Sequence, residues 1–136
     1  MTGQVIIDAD AIIATLNEKD QWHQLAALKF ATLPKPFLTC EAVISEACFK
    51  VGRHRTKVTG LISDGVVKVA FSLDQEIEAV QSLMKKYKDV PMSLADANLV
   101  RMSEIFGEAV VFTFDSDFSF YRRHRDQRIK TVSIEK

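Results

Sequence analysis

Cysteine, proline and glycine are all scarce in this 136-residue chain, which carries 2, 3 and 5 of them respectively. A collagen-like chain is thereby excluded, and with 47% hydrophobic residues so is a disordered one. The two cysteines, Cys40 and Cys48, lack C-x-x-C spacing and cannot supply the disulfide framework of a small secreted fold, so a reducing compartment is expected. An excess of either charge is also missing, because 18 Lys and Arg face 18 Asp and Glu. No global field announces a nucleic acid or an acidic membrane, and any polyanion site has to be local. Long apolar runs are absent too: none approaches the ~18 residues of a membrane span, and MTGQVIIDAD reaches Asp8 without the basic start of a signal peptide. The expectation is a cytoplasmic protein with no membrane partner.

What remains is about one domain's worth of chain, 1–136, long enough to bury roughly two-thirds of its unfolded surface. Short β-branched runs at 4–8 (QVIID), 36–39 (PFLT), 66–71 (VVKVAF), 109–114 (AVVFTF) and 129–134 (IKTVSI) read as buried strands. Helical patterns lie between them. Residues 21–33 set Trp22, Leu25, Leu28 and Leu33 near one stripe, and 74–88 do the same with Ile77, Val80, Leu83 or Met84, and Tyr87. Two more helices fit 41–51 and 54–64, with Gly52 and Gly65 as stops, and Ser93 opens another that runs to about Phe106. Strand and helix in alternation predict an α/β domain: a parallel sheet of four to five strands between helical layers. Ligands of such sheets sit at the carboxyl ends of the strands.

That rule selects acids. Asp8 ends the first strand, in VIIDAD, and Asp115 ends the fourth, in VVFTFDSDF. If those strands are neighbours, their carboxylates meet at one sheet edge. Glu46, about two helical turns past the second strand, and Asp96, in the first turn after Ser93, can reach the same cleft. Such a cluster needs a cation, because two like charges at ~4 Å repel by about 4 kcal/mol at an effective dielectric near 20. Oxygen-only ligands suit Mg²⁺ or Mn²⁺. Each acid also has a plain structural reading. Asp8, Asp10, Asp115 and Asp117 can cap the segments that follow them, Ser93-Leu94-Ala95-Asp96 spells a capping box, and a lone helical Glu46 is ordinarily solvated. Only the set is informative.

VIIDADAIIATL, the Glu in LTCEAVISEACF, the Asp in MSLADANLV and VVFTFDSDFSF resemble, in order, the four acidic blocks of the PIN domain. The resemblance covers nearly the whole chain, and its compact size is similar to the VapC-type toxins of prokaryotic toxin–antitoxin pairs. It implies a PIN-like three-layer α/β/α fold and an endoribonuclease dependent on Mg²⁺ or Mn²⁺, one or two ions, with Asp8, Glu46, Asp96 and Asp115 on the family's acidic positions. Asp8 and Asp115 would be primary metal ligands, Asp96 a shared or second-site ligand and Glu46 a ligand or water orienter. Asp10 and Asp117 fall on variable neighbours that assist in some members. Residues two apart do not share a helical face, so Asp8 and Asp10 can act together only if the turn between them is irregular. A homodimer and an antitoxin protein are the partners the resemblance implies, beside an RNA substrate.

Two basic stretches lie shortly after proposed ligands: KVGRHRTK (50–57), with Arg53, Arg55 and Lys57, and YRRHRDQRIK (121–130), with Arg122 and Arg123. Groups so placed suit a phosphate backbone, although a solvated charged face explains any single Arg. Phe118, Phe120 and Tyr121 read as packing, and Trp22 as core or dimer interface. Three alternatives compete with the nuclease: a PIN-like RNA-binding or scaffold protein without turnover, a haloacid-dehalogenase-like phosphatase suggested by DADAII, and a response-regulator receiver. The second lacks its ordered Ser/Thr, Lys and acidic set here, and the third lacks an Asp directly after VVKVAF.

Overall fold

The computed structural model describes residues 3–132. Strands β1 (Val5–Ile7), β2 (Phe37–Thr39), β3 (Val67–Val69) and β4 (Val110–Phe112) pair in parallel in the order β3-β2-β1-β4. Every residue of β1 and β2 is buried. Since successive strand residues face opposite sides, both faces of the sheet are covered, as the near-continuous apolar runs require. The chain steps outward from β1 to β2 and β3, then returns to lay β4 against the other side of β1. The carboxyl ends of β1 and β4 therefore form the topological switch point, where open α/β sheets leave a crevice.

The last expected strand begins as one. Thr131 bridges Val111 in parallel, with Val111 N–H donating to Lys130 O at 2.8 Å and Val132 N–H to Val111 O at 2.9 Å. Residues 133 and 134 of that expectation lie outside the described residues.

Among the described residues six α-helices surround the sheet: α1 (Ala9–Leu16), α2 (His23–Thr32), α3 (Glu41–Val51), α4 (Arg55–Ser63), α5 (Leu73–Lys86) and α6 (Leu94–Ile105). Gly65 ends α4 as expected, with φ 78° and Val66 N–H donating back to Leu61 O at 2.9 Å. Helix α6 contacts both β1 and β4 and buries Leu99, Val100 and Met102, which brings its first turn towards the switch point. The stripe expected on 21–33 needs correction. Trp22 stands before α2 as its N-cap, Leu28 is 59% exposed, and Ala26 is the buried residue of that helix. On α5 Val80 and Leu83 are buried as the spacing implies, as is Tyr87 just beyond it, while Ile77 and Met84 lie at the exposed margin.

A small antiparallel hairpin, β5 (Arg122–Arg123) and β6 (Gln127–Arg128), was not foreseen from the basic composition of its segment. Its turn puts His124 and Arg125 at φ 46° and 77° without a glycine. Such conformations cost about 1 kcal/mol or more each. Two anchors offset the cost: Glu104 Oε2 accepts from His124 N–H at 2.7 Å, and Lys86 Nζ donates to Arg125 O.

Candidate active site

The register Ile7↔Phe112 makes Asp8 and Thr113 the next residues on adjacent strands. Asp8 keeps an extended backbone (φ −90°, ψ 162°) as the N-cap of α1, so it leaves the strand without entering the helix. Its Oδ1 accepts from Ala9 N–H at 2.7 Å and its Oδ2 from the Thr113 hydroxyl at 2.8 Å. Asp10, already in the first turn of α1, also reaches Thr113, whose Oγ1 lies 3.4 Å from both of its oxygens. The irregular junction that joint action by Asp8 and Asp10 demanded is thus supplied by the cap. Phe114 N–H donates to Asp10 Oδ2 at 3.1 Å, and Asp115 N–H donates to Thr113 Oγ1 at 3.0 Å. Asp115 in turn caps the 3₁₀ turn Ser116–Ser119, its Oδ1 accepting from Asp117 N–H at 2.9 Å.

Asp96 approaches from α6. Its capping box is real: Asp96 N–H donates to Ser93 Oγ at 3.0 Å, and Ser93 N–H to Asp96 Oδ2 at 3.3 Å. The same Oδ2 accepts from the Tyr121 hydroxyl at 3.1 Å. Among the described residues no hydrogen bond engages Asp96 Oδ1 or Asp115 Oδ2. Capping and clustering are therefore not rival roles, because one carboxylate oxygen closes a helix end while the other is left for the site.

Electrostatics show that these acids sense one another. Burial, and then the charge of Asp10, holds the Asp8 carboxyl well above its ordinary range, despite the bonds from Thr113 and Ala9 and with a further push from Asp96. Burial also lifts Asp10 to about 6, with Asp115 adding to the rise and Phe114 N–H opposing it. Asp96 is raised by burial and by Asp115, against the bonds from Ser93 and Tyr121. Burial and the charge of Asp96 push the Tyr121 hydroxyl upwards, which keeps it a donor. Clustered, desolvated carboxylates with raised pKa values mark a functional-site candidate.

Other expected site residues stand apart. Glu46 is exposed on α3 and makes no hydrogen bond among the described residues. Asp117 is half-buried and joins the cluster through its backbone N–H. Arg53, in the 3₁₀ turn Gly52–His54, and Arg55 and Lys57, on α4, are exposed, with Arg55 Nη1 on Gly52 O at 3.3 Å. The expectation of phosphate contact by Arg123 is corrected, while Arg122 is half-exposed. Arg123 is buried, its Nη1 on Gly107 O at 3.0 Å, and Arg122 Nη1 binds the carbonyls of Ser119, Phe120 and Tyr121.

Thr113 and Tyr121 escaped the sequence reading. Thr113 precedes Asp115 by two at a strand end, the spacing that keeps both on one side, so alternation was the available signal. Tyr121 carried none, since its approach to Asp96 depends on the packing of the segment after Asp117. Trp22 also borders the site, stacking on Phe114 with centroids 5.0 Å apart and planes 8° from parallel.

The acids gathered in this corner offer carboxylate oxygens, a donor chemistry that fits Mg²⁺ or Mn²⁺. Among the described residues, however, no three His, Cys, Asp or Glu side chains are already spaced to grip one ion. Mg²⁺ characteristically takes one or two carboxylates and completes its shell with water.

No helix among the described residues is long and apolar enough to cross a membrane. Comparison with curated protein sequences finds no significant match. Among solved structures, the chain is similar to the VapC20 toxin of Mycobacterium tuberculosis, described as cleaving the sarcin–ricin loop. The TM-score is 0.77 at 21% identity, over 86% of this chain and 94% of that one, a likeness of fold. The family model for the PIN domain matches residues 5–123, which include Asp8, Asp10, Asp96, Asp115 and the switch point between them. On that match the chain belongs to the PIN-domain family.

Proposed function

We propose that this protein is a divalent-metal-dependent endoribonuclease, acting as the toxin of a toxin–antitoxin pair. The observation that carries the reading is the convergence of Asp8, Asp10, Asp96 and Asp115 at the switch point, where Asp8, Asp10 and Asp96 are held above their ordinary pKa and, among the described residues, no cationic side chain bonds to them. Carboxylates gathered in a partly desolvated corner are relieved of both burial cost and mutual repulsion when a cation is bound among them.

Asp8, Asp96 and Asp115 would hold Mg²⁺ or Mn²⁺, one ion or two. Bound there, the metal supplies hydroxide near neutral pH and stabilises the leaving oxygen of a phosphodiester. Thr113 holds the carboxylates of Asp8 and Asp10 at fixed spacing and takes the Asp115 backbone N–H. Asp10 adds negative charge beside Asp8, strengthening cation binding, and Asp117 steadies the Asp115 loop. Glu46 would reach the reaction as an orienter of water from α3, the role least supported by contacts. Arg53, Arg55 and Lys57, all exposed, would meet a phosphate backbone.

A homodimer and an antitoxin are proposed as partners. Phe49 on α3 is 83% exposed and Leu28 on α2 59% exposed, apolar surface that a protein partner would cover. The M. tuberculosis toxin makes a sarcin–ricin-type loop the first substrate to try. Membership of the PIN family leaves the haloacid-dehalogenase and receiver alternatives without support.

The reading is tested by incubating the protein with a mixed RNA pool and a stem–loop substrate in Mg²⁺, Mn²⁺ or EDTA. Internal cleavage in metal, abolished by EDTA and by Asp115→Asn, is expected. RNA binding without cleavage in any metal would favour the non-catalytic scaffold.

A further inference from the structure

Tyr121 is completely buried, and its hydroxyl reaches Asp96 Oδ2. The chain has two tyrosines, and both are committed to this corner. Tyr87 Oη accepts from Arg122 N–H at 2.9 Å, and its ring meets that of Tyr121 edge to face with centroids 5.2 Å apart. Phe118 closes on Tyr121 from another side, 5.4 Å away at 88°. A ring clamped edge-on by two others cannot swing, so its hydroxyl is a donor of fixed position.

Asp96 Oδ2 thus receives two donors, Ser93 N–H from its own helix start and the Tyr121 hydroxyl from the segment after Asp117. Two donors converging on one oxygen set the rotation of the carboxylate, and Oδ1 is the oxygen left over. Phenylalanine would fill the same space; a phenol that merely packed would bury an unsatisfied hydroxyl.

We propose that Tyr121 is a positioning residue of the acidic site, its hydroxyl fixing the Asp96 carboxylate so that Oδ1 is held ready for a divalent cation. The inference rests on the metal-dependent reading above for the identity of that cation. Hydrogen-bond partners behind a metal ligand typically control 10–100-fold of metal affinity.

The test is Mn²⁺ binding, measured by electron paramagnetic resonance titration of the whole protein. Tyr121→Phe should keep the fold and weaken Mn²⁺ about tenfold. The Mn²⁺ concentration for half-maximal RNA cleavage should rise by a similar factor, with most of the rate recovered at saturation. In an Asp96→Asn background the same substitution should change Mn²⁺ affinity no further, because both changes act on one carboxylate. A folded Tyr121→Phe protein with unchanged Mn²⁺ affinity, or with a full second loss in Asp96→Asn, overturns the proposal. Should Tyr121→Phe fail to fold, the near-ultraviolet tyrosine band of the unaltered protein decides. A shift on adding Mn²⁺ that disappears in Asp96→Asn supports the proposal, and no shift overturns it. Mn²⁺ binding without RNA cleavage would overturn the nuclease reading alone, with the titration still deciding Tyr121; no Mn²⁺ binding at all would overturn both.

Discussion

At the carboxyl ends of β1 and β4, carboxylates from residues 8, 10, 96 and 115 converge on one corner, whereas the cations of 121–130, neighbours in sequence, turn to different surroundings: Arg122 stands across the hairpin from Arg128, and Arg123 is buried. Arg122 and Arg123 adjoin on β5, yet strand alternation sends one guanidinium to nearby carbonyls and the other inwards to Gly107 O. The contrast teaches that proximity along the chain is a poor guide to a charged site. Position at the ends of adjacent strands is a good one. Like charges brought together at a cost imply a ligand, while like charges spread apart imply local structure.

The sharpest way to break this contrast is to neutralise the corner. Asp8→Asn and Asp115→Asn should each reduce metal-dependent RNA cleavage by more than the roughly 10–100-fold typical of an outer partner, measured as initial rates on a labelled RNA. Thr113→Val removes the hydroxyl shared by Asp8, Asp10 and Asp115. It should lower Mn²⁺ affinity about tenfold and, through orphaned polar groups, cost about 1–3 kcal/mol in urea unfolding. Arg123→Ala should cost about 1 kcal/mol or more through the lost bond to Gly107 O and the lost packing of a buried side chain, with no change in the salt dependence of RNA binding.

Burial lifts Asp10 from 3.8 to about 6, so the folded state resists ionising it. Without metal the penalty is complete above pH 6 and is relieved as pH falls through 6 towards 3.8, so stability rises on acidification across that window. In EDTA at pH 7.5, Asp10→Asn should therefore raise Tm by about 3 °C or more, and the gain should vanish near pH 4. Mn²⁺ at pH 7.5 should reverse its sign. The smallest effect belongs to the exposed cations: combined Arg53→Ala and Arg55→Ala should reduce the salt slope of single-strand RNA affinity by about 0.7 per lost phosphate contact. Stability should then move by no more than about 0.5 kcal/mol.

Much of the architecture was legible because its cause is local. The runs VII, FLT and VVF are apolar on both faces, Ser93 and Gly65 close helices by their own chemistry, and Asp8 and Asp115 stand where strands end. Long-range packing hid the rest. The hairpin at 122–128 carries no turn glycine and depends on Glu104 and Lys86 from other helices to hold His124 and Arg125 in place. The exposure of Leu28 follows from how α2 lies on α1, which periodicity does not reveal. Tyr121 was read as packing, and packing it is, with a hydroxyl whose partner lies on α6. Glu46 shows the reverse: its place after the second strand and a resemblance both pick it out, yet it is exposed on α3 and, among the described residues, makes no hydrogen bond to the other acids.

The most direct measurement is an anomalous-scattering map from crystals soaked in Mn²⁺. The account predicts a peak at the ends of β1 and β4, bounded by the carboxylates of Asp8, Asp96 and Asp115, with Asp96 Oδ1 turned towards it. Manganese bound elsewhere, with that corner holding no peak, would contradict the claim that this acidic cluster exists to bind metal.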